Sequence, residues 1–388
     1  MKVILASLLA LTTTVGAEQI PNQYCDLYRT LDAKLAEAER VVGRPDPKSQ
    51  PVFAAELTAA NGNRGPTLLE ERTRVGVSKN LDAFKALGVS GIVVASVYPM
   101  FVKDFPHAAE YLDFYKFVMT EARRRNLKVL FKIGEAFRDP VHGQLPVDNW
   151  YRGLTLDRFR REKRTMIETA LRELQPDYLT VANEPDTSAM NTKLDFSTEN
   201  YIRSVQAFTR GLARGQTKIG AGAGTWSQTV YFERLARETD VDYLDLHIYP
   251  INHDYLTKRA LEAAALARRH GKSLVIGEGW LFKSRDRELG PGGLGYVKLY
   301  ARDAFSFWQP LDARLIRVLA QFSRAQRVEF MSLFWVNLLF GSLEYSPELD
   351  AKSPGEIQAL AARAAVPNIL AGKLSPTGEA YRSMITAR

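Results

Sequence analysis

Eight short apolar runs recur along this chain, each followed by enough sequence for a helix and none by a two-residue hairpin turn. They are Val52–Leu57, Gly91–Ala95, Lys128–Ile133, Tyr178–Ala182, Lys218–Gly222, Tyr243–Tyr249, Ser273–Gly277 and Phe330–Trp335. Strands that are continuously apolar, rather than alternating, are buried on both faces, and parallel neighbours need a crossover between them. Eight strand–helix units predict an α/β fold of the (β/α)8 barrel type, in a single domain. A doubly wound open sheet is the rival, but the loop Asn61-Gly62-Asn63-Arg64-Gly65 after the first run carries neither a G-x-G-x-x-G nor a P-loop pattern. The run Lys218–Gly222 is the weakest strand, being built of small residues.

Helical spacing fills the intervals. Tyr24–Val42 reads as a leading helix that ends in the stiff connector Gly43-Arg44-Pro45-Asp46-Pro47, so residues 18–50 precede a barrel spanning 51–388. The first barrel helix is expected to start at Pro66-Thr67, with Glu70 completing a capping box, and to run toward Leu87-Gly88. A second runs from about His107 to Arg125, and Phe159, Met166, Ile167, Ala170, Leu171 and Leu174 mark the apolar face of another. A helix from Tyr255 to His270 meets Gly271, a position suited to a left-handed cap. Between the last two strands, the charged stretch Lys283-Ser284-Arg285-Asp286-Arg287-Glu288 and the following Gly290-Pro291-Gly292-Gly293 predict a mobile loop beside the cleft, ahead of a helix.

Composition narrows the setting. Residues 1–17 have a charged start, an apolar middle and a small-residue end at Val15-Gly16-Ala17, which reads as a signal peptide and predicts a secreted or periplasmic protein. No later run approaches the roughly twenty apolar residues of a spanning helix, so no membrane span is expected. Cys25 is the one cysteine, which rules out an intramolecular disulfide and leaves an inert thiol or an intermolecular bridge. The formal charge of +8 suits anionic polymers, but the basic residues are scattered along helices, as in Arg123-Arg124-Arg125 and Arg268-Arg269, with no interleaved aromatics, so no nucleic acid is expected as a partner.

Two strand ends deliver carboxylates. Glu184 follows the fourth run in Val181-Ala182-Asn183-Glu184-Pro185, and Glu278 follows the seventh, with Gly279-Trp280 after it. In a barrel these strands lie across the mouth from each other, at the end where such folds keep their chemistry. Carboxylates about 5 Å apart suit retaining glycoside hydrolysis, one attacking the anomeric carbon and the other protonating the leaving oxygen. An ionised Glu278 would raise the proton affinity of Glu184, and its loss of charge on glycosylation would release Glu184 to act as a base. The plainer roles are a helix cap for Glu184 and a rim salt bridge for Glu278.

This pattern resembles the glycoside hydrolases of clan A, retaining (β/α)8 glycosidases with an Asn-Glu acid/base at the end of strand four and a Glu nucleophile on strand seven. The resemblance implies catalysis by Glu184 and Glu278, a sugar 2-hydroxyl contact for Asn183, and a nucleophile-holding Tyr249 within the His247-Ile248-Tyr249 element. It also implies a sugar platform at Trp335. Trp280, Trp226 and Tyr98 also fall at or just beyond strand ends, as substrate contacts or as barrel packing. The arginine that many clan A enzymes place near strand two has no match in Ser96-Val97-Tyr98-Pro99, which leaves Arg64 in the first loop as a substitute. Glu56 and Lys132 share a barrel layer and are expected either to pair beneath the cleft or to let Lys132 reach substrate, while Glu135 is a rival carboxylate on strand three. The expected partner is a carbohydrate, with no cofactor. A catalytically silent glycan-binding barrel is the alternative, and a metal-dependent hydrolase is disfavoured by the five histidines and the lack of His-x-His on strand one.

Overall fold

The computed structural model describes residues 19–140, 143–290 and 292–386; the expected leader and Pro291 lie outside the described residues. Along the chain come α1 (Cys25–Val41), β1 (Val52–Glu56), α2 (Glu71–Leu87), β2 (Gly91–Tyr98), α3 (Ala108–Arg124), β3 (Lys128–Glu135), α4 (Asp148–Tyr151), α5 (Leu156–Thr169), β4 (Tyr178–Ala182), α6 (Pro185–Thr192) and α7 (Thr198–Thr209). There follow β5 (Lys218–Gly224), α8 (Thr229–Glu238), β6 (Tyr243–Ile248), α9 (Ala260–Arg269), β7 (Ser273–Gly279), α10 (Tyr296–Asp303), α11 (Gln309–Gln326), β8 (Phe330–Leu333), α12 (Pro347–Asp350), α13 (Pro354–Ala371) and α14 (Pro376–Thr386). The eight strands close into one parallel barrel in chain order, with β8 pairing back to β1. No helix among the described residues is long and apolar enough to cross a membrane.

Side chains alternate in and out along each strand, so the barrel interior is built in layers. The layer nearest the strand starts is apolar: Ala54, Val93, Leu130, Tyr243, Val275 and Phe330, with Val52 and Tyr178 against it. Two residues further along, the interior turns polar and stays buried, with Glu56, Lys132, Thr180, Asp245 and Ser332. The Thr180 hydroxyl donates to Asp245 at 2.8 Å, and the Gly277 N–H donates to the other Asp245 oxygen at 2.8 Å, so this layer is cross-tied.

The small residues of β5 are a packing requirement. A Cβ on Gly220 would lie 2.0 Å from the Tyr243 ring, and one on Gly222 would lie 1.6 Å from the Asp245 carbonyl oxygen. Bulky β6 residues therefore fill space that β5 cedes.

Two local expectations are corrected. The α2 helix starts at Glu71, not Pro66-Thr67, and no capping box forms: the Thr67 hydroxyl donates to the Arg64 carbonyl at 2.9 Å. Tertiary contacts hold this loop, since Gln144 N–H donates to the Asn63 carbonyl (2.8 Å) and Gly65, at φ 54°, lies too close to Gln144 to carry a Cβ. The stretch after β7 does not begin as a solvated loop, because Leu281, Phe282, Lys283 and Ser284 are buried and Lys283 meets Asp312 at 2.5 Å. A helix does follow it, α10, and α11 then leads to β8. The basic run at the end of α3 leaves Arg123 and Arg124 exposed, with Arg123 on the Leu174 and Gln175 carbonyls, while Arg125 is buried on Glu121 and Asp82.

Candidate active site

A register shift determines where Glu278 points. Strict alternation from Val275 would turn Gly277 inward and Glu278 outward, toward the helices. Leu246 pairs with Ile276, however, while His247 pairs with Glu278, so Gly277 is an extra residue in β7. This bulge re-aims the carboxylate into the barrel mouth. Only glycine fits there, since a Cβ on residue 277 would lie 2.5 Å from the Asp245 carboxylate.

Glu184 comes from across the mouth, three strands away. β4 ends at Ala182, and Pro185 at the first position of α6 stops the strand and starts the helix, leaving Glu184 extended at φ −131°, ψ 97°. Its carboxylate caps no backbone N–H of α6. One oxygen meets His247 Nδ1 at 2.6 Å and the other accepts from the Thr187 hydroxyl at 2.6 Å.

Glu278 has a fuller set of partners. The Lys132 ammonium holds one oxygen, the Tyr249 hydroxyl donates to the other, and His247 Nδ1 stands 3.6 Å from the latter. Burial works against its ionisation, but the positive His247 and Lys132 and the hydrogen bonds from Lys132 and Tyr249 outweigh it, holding the carboxyl below its ordinary range. Burial likewise opposes the charge on His247, yet Glu278, Glu184 and Asp245 together raise it to about 9. At neutral pH the imidazole is therefore a cation between the two glutamates. Beneath them, burial lifts Glu56 to about 7 against the pull of Lys132 and with the push of Glu278.

An oxygen of Glu184, Nδ1 of His247 and an oxygen of Glu278 all lie within 4.8 Å of one another. Among the described residues this is the group whose donors could surround a metal ion. The Lys132 ammonium already on Glu278 would repel a dication there, so the chemistry of the set favours proton and covalent work.

The remaining predicted residues are distributed unevenly. Asn183 is half-buried beside Glu184 and its amide makes no hydrogen bond among the described residues. Trp335 is half-buried and stacks on Tyr300 at 4.6 Å and 16°. Tyr98 and Trp280 offer no surface to a ligand. Tyr98 is fully buried, bonded to Glu162 and Trp150, and Trp280 is 1% exposed with Lys283 over its ring. Trp280, one residue past the end of β7, is covered by Lys283, while Tyr98 follows from parity, its side chain leaving β2 toward the surrounding helices. Glu135 does the same, bonding Lys163 and Ser188 behind the barrel wall, and is no rival at the mouth. Arg64 is exposed, its nearest charges being Glu70 and Arg72, and it does not reach Glu278; Lys132 occupies that place.

Sequence reasoning did not find the aromatic wall that Phe282 and Tyr300, from between β7 and β8, build with Phe334 just after β8. Phe282 lies 4.9 Å from Tyr249, Phe334 5.4 Å from it, and Tyr300 of α10 joins Phe334 to Trp335. The tyrosines at helical spacing in Tyr296-Val297-Lys298-Leu299-Tyr300 were the available signal. On the other side, Trp226 donates to Asp186 at 2.8 Å and borders an open groove of about 490 Å³ that starts at Pro185-Asp186 and extends to Tyr231. Asp186 keeps solvent access, yet the surrounding protein and then the Glu184 charge push its carboxyl above the ordinary range. A larger cavity, about 1080 Å³, opens at the opposite end of the barrel around Lys128, Asp177 and Lys218. Its lysines are paired with Asp177 and Glu329, and strand starts are not where barrels keep their chemistry.

Neither a protein-family model nor a curated protein matches the chain by sequence. Solved structures share its fold. A GH5_18 from Bifidobacterium longum subsp. longum ATCC 55813, in complex with Manb1-4GlcNAc, aligns with TM-score 0.54 at 13% identity over 87% of this chain and 78% of that one. The GH53 catalytic domain of Ignisphaera aggregans aligns at 0.51 and 15%, covering 82% and 99%. Exo-beta-1,4-mannosidase Op5Man5 from Opitutaceae bacterium strain TAV5 aligns at 0.55 and 13%, covering 88% and 60%. GH5 and GH53 are glycoside hydrolases of clan A, and at these identities the likeness is one of fold.

Proposed function

We propose that this chain is a retaining β-glycosidase that cleaves a polysaccharide or oligosaccharide by double displacement. The observation that carries this reading is the separation of the two glutamates, an oxygen of each lying within 4.8 Å of the other. That is the short spacing of a nucleophile–acid pair, since an inverting pair needs about 6.5–9.5 Å to admit water. The fold shared with clan A glycosidases supports it.

In this reading Glu278 is the nucleophile. Its lowered proton affinity keeps it ionised, so it can attack the anomeric carbon while the bond to the leaving oxygen breaks. Glu184 passes a proton to that oxygen. The 2.6 Å contact with the cationic His247 supports this role, because it sets a proton donor directly beside the Glu184 carboxylate. Esterification removes the Glu278 charge; Glu184 then takes a proton from water as the water oxygen attacks the anomeric carbon, and the ester bond breaks to free the sugar and return Glu278 as a carboxylate. Asn183, with its amide free, is placed to hold a sugar hydroxyl next to the acid, and Trp335 and Tyr300 supply apolar faces for a ring. The charged start, apolar middle and small-residue end of residues 1–17 support an exported enzyme acting on polymer outside the cytoplasm.

The test is Glu278→Ala with an activated aryl β-glycoside and azide. Turnover should be lost and then restored by azide, yielding a glycosyl azide of inverted configuration. Full turnover by Glu278→Ala without azide would overturn the nucleophile assignment. Failure of the wild-type chain on any activated β-glycoside, with glycan binding intact, would favour a silent binding barrel.

A further inference from the structure

One buried cation serves two carboxylates in this barrel. Lys132 of β3 is 3% exposed, and its ammonium meets Glu56 of β1 at 3.0 Å and Glu278 of β7 at closer range. Glu56 is itself anchored, its second oxygen accepting from the Asn61 amide at 3.2 Å. A structural ion pair would be complete with Lys132 and Glu56 alone, since one ammonium neutralises one carboxylate. The third member places the ammonium between opposite sides of the barrel and directly under the reacting oxygen pair.

We infer that Lys132 is the positioning residue of the nucleophile, held by Glu56 so that its ammonium fixes the rotamer of Glu278 and keeps that carboxylate ionised in a dry site. The inference rests on the glycosidase reading and adds to it the source of the charge that the nucleophile needs. A lysine on a flexible stem would otherwise swing, and two anchors on β1 and β7 remove that freedom. Glu56 also has a reason to be present through the catalytic cycle. When Glu278 becomes an ester it no longer balances Lys132, and a buried ammonium without a counter-ion is costly. Glu56 remains as that counter-ion, so the covalent intermediate is not penalised for neutralising the nucleophile.

The groups facing Glu278 from the elements packed around it are Lys132 from β3, Glu56 from β1, His247 and Tyr249 from β6 and the residue after it, Glu184 from the end of β4, and Tyr300 from α10. Only Lys132 and His247 among them carry positive charge. Removing Lys132 therefore leaves a single cation, shared with Glu184, and the ionised form of Glu278 loses its nearest support.

The experiment measures the pH dependence of kcat/KM on an activated aryl β-glycoside for wild type, Lys132→Met, Lys132→Arg and Glu56→Gln. Folding is checked by circular dichroism, and labelling of Glu278 by a 2-deoxy-2-fluoro glycoside is followed by mass spectrometry. In Lys132→Met the acid limb should move up by about 1–3 pH units, the effect of one adjacent opposite charge on a carboxylate. Lys132→Arg should keep the limb near its wild-type position. Glu56→Gln should leave it there or lower it, because Lys132 then serves Glu278 alone. A folded Lys132→Met with an unmoved limb overturns the inference, whatever its loss of stability. If that variant does not fold, Lys132→Arg with a displaced limb, or Glu56→Gln with a raised one, overturns it instead. Wild-type labelling at Glu278 together with an unmoved limb defeats this inference alone, whereas a wild type that neither turns over nor labels defeats the glycosidase reading and this one with it.

Discussion

Replacing Tyr249 with phenylalanine deletes one hydroxyl and leaves the packing almost intact. The ring is 4% exposed and sits among Phe282 at 4.9 Å, Phe334 at 5.4 Å and Trp226 at 5.9 Å, all contacts that phenylalanine keeps. What disappears is the hydrogen bond to Glu278, after which that oxygen faces only His247, 3.6 Å away. A hydrogen bond to a charged group is worth about 1.5–3 kcal/mol. If that support is spent on holding the attacking oxygen, kcat/KM should fall by about tenfold to 150-fold. The pH profile should move as well. Glu278 is held below its ordinary range, partly by this donor, so Tyr249→Phe raises its proton affinity and shifts the acid limb to higher pH. Steady-state kinetics on an activated aryl β-glycoside between pH 4 and 8, with thermal unfolding as a control, gives both readings. A fall of less than about threefold with an unmoved limb would refute the reasoning, because that is under 1 kcal/mol of transition-state support.

Two further outcomes follow from other parts of the molecule. Glu184→Ala should lower turnover of substrates with poor leaving groups by about 10²–10⁴-fold, while sparing the first step for strongly activated ones. An equal loss across a series of leaving groups would remove Glu184 from the acid role. Away from the mouth, Asp303 is fully buried, 3.6 Å from Lys283, which is already bonded to Asp312. Burial raises its carboxyl, Lys283 opposes this and the Asp312 charge adds to it, leaving it at about 7. Its folded form therefore binds a proton that the unfolded chain releases at lower pH, and stability falls as pH rises from the ordinary carboxylate range through about 7. Asp303→Asn should raise the melting temperature more at pH 8 than at pH 5. A gain that is equal at both pH values would show that the carboxyl is not the source.

The barrel was legible because eight apolar runs separated by helical stretches leave few alternatives, and the strand positions agree with the runs within a residue or two at most ends. The carboxylate pair was legible for the same reason, as acids placed where strands stop. What was not legible was parity. Tyr98 and Glu135 also sit at strand ends, yet they turn toward the helices, where Glu135 meets Lys163 and Tyr98 meets Glu162. Nor did local sequence reveal that Arg64 faces solvent while Lys132, deep on β3, reaches Glu278. The partners of Lys132 lie on strands far away in the chain, and a side chain's neighbours across a closed sheet leave no mark on its own segment.

By itself the sequence determined the architecture, through the hydrophobic period and the crossover lengths, and it placed two glutamates at one end of it. Tertiary structure decided that those glutamates meet. The extra residue at Gly277 turns Glu278 from the wall into the mouth, and His247, Lys132 and Tyr249 then set its charge. A bulge is a property of two paired strands rather than of one, so it exists only once the barrel has closed.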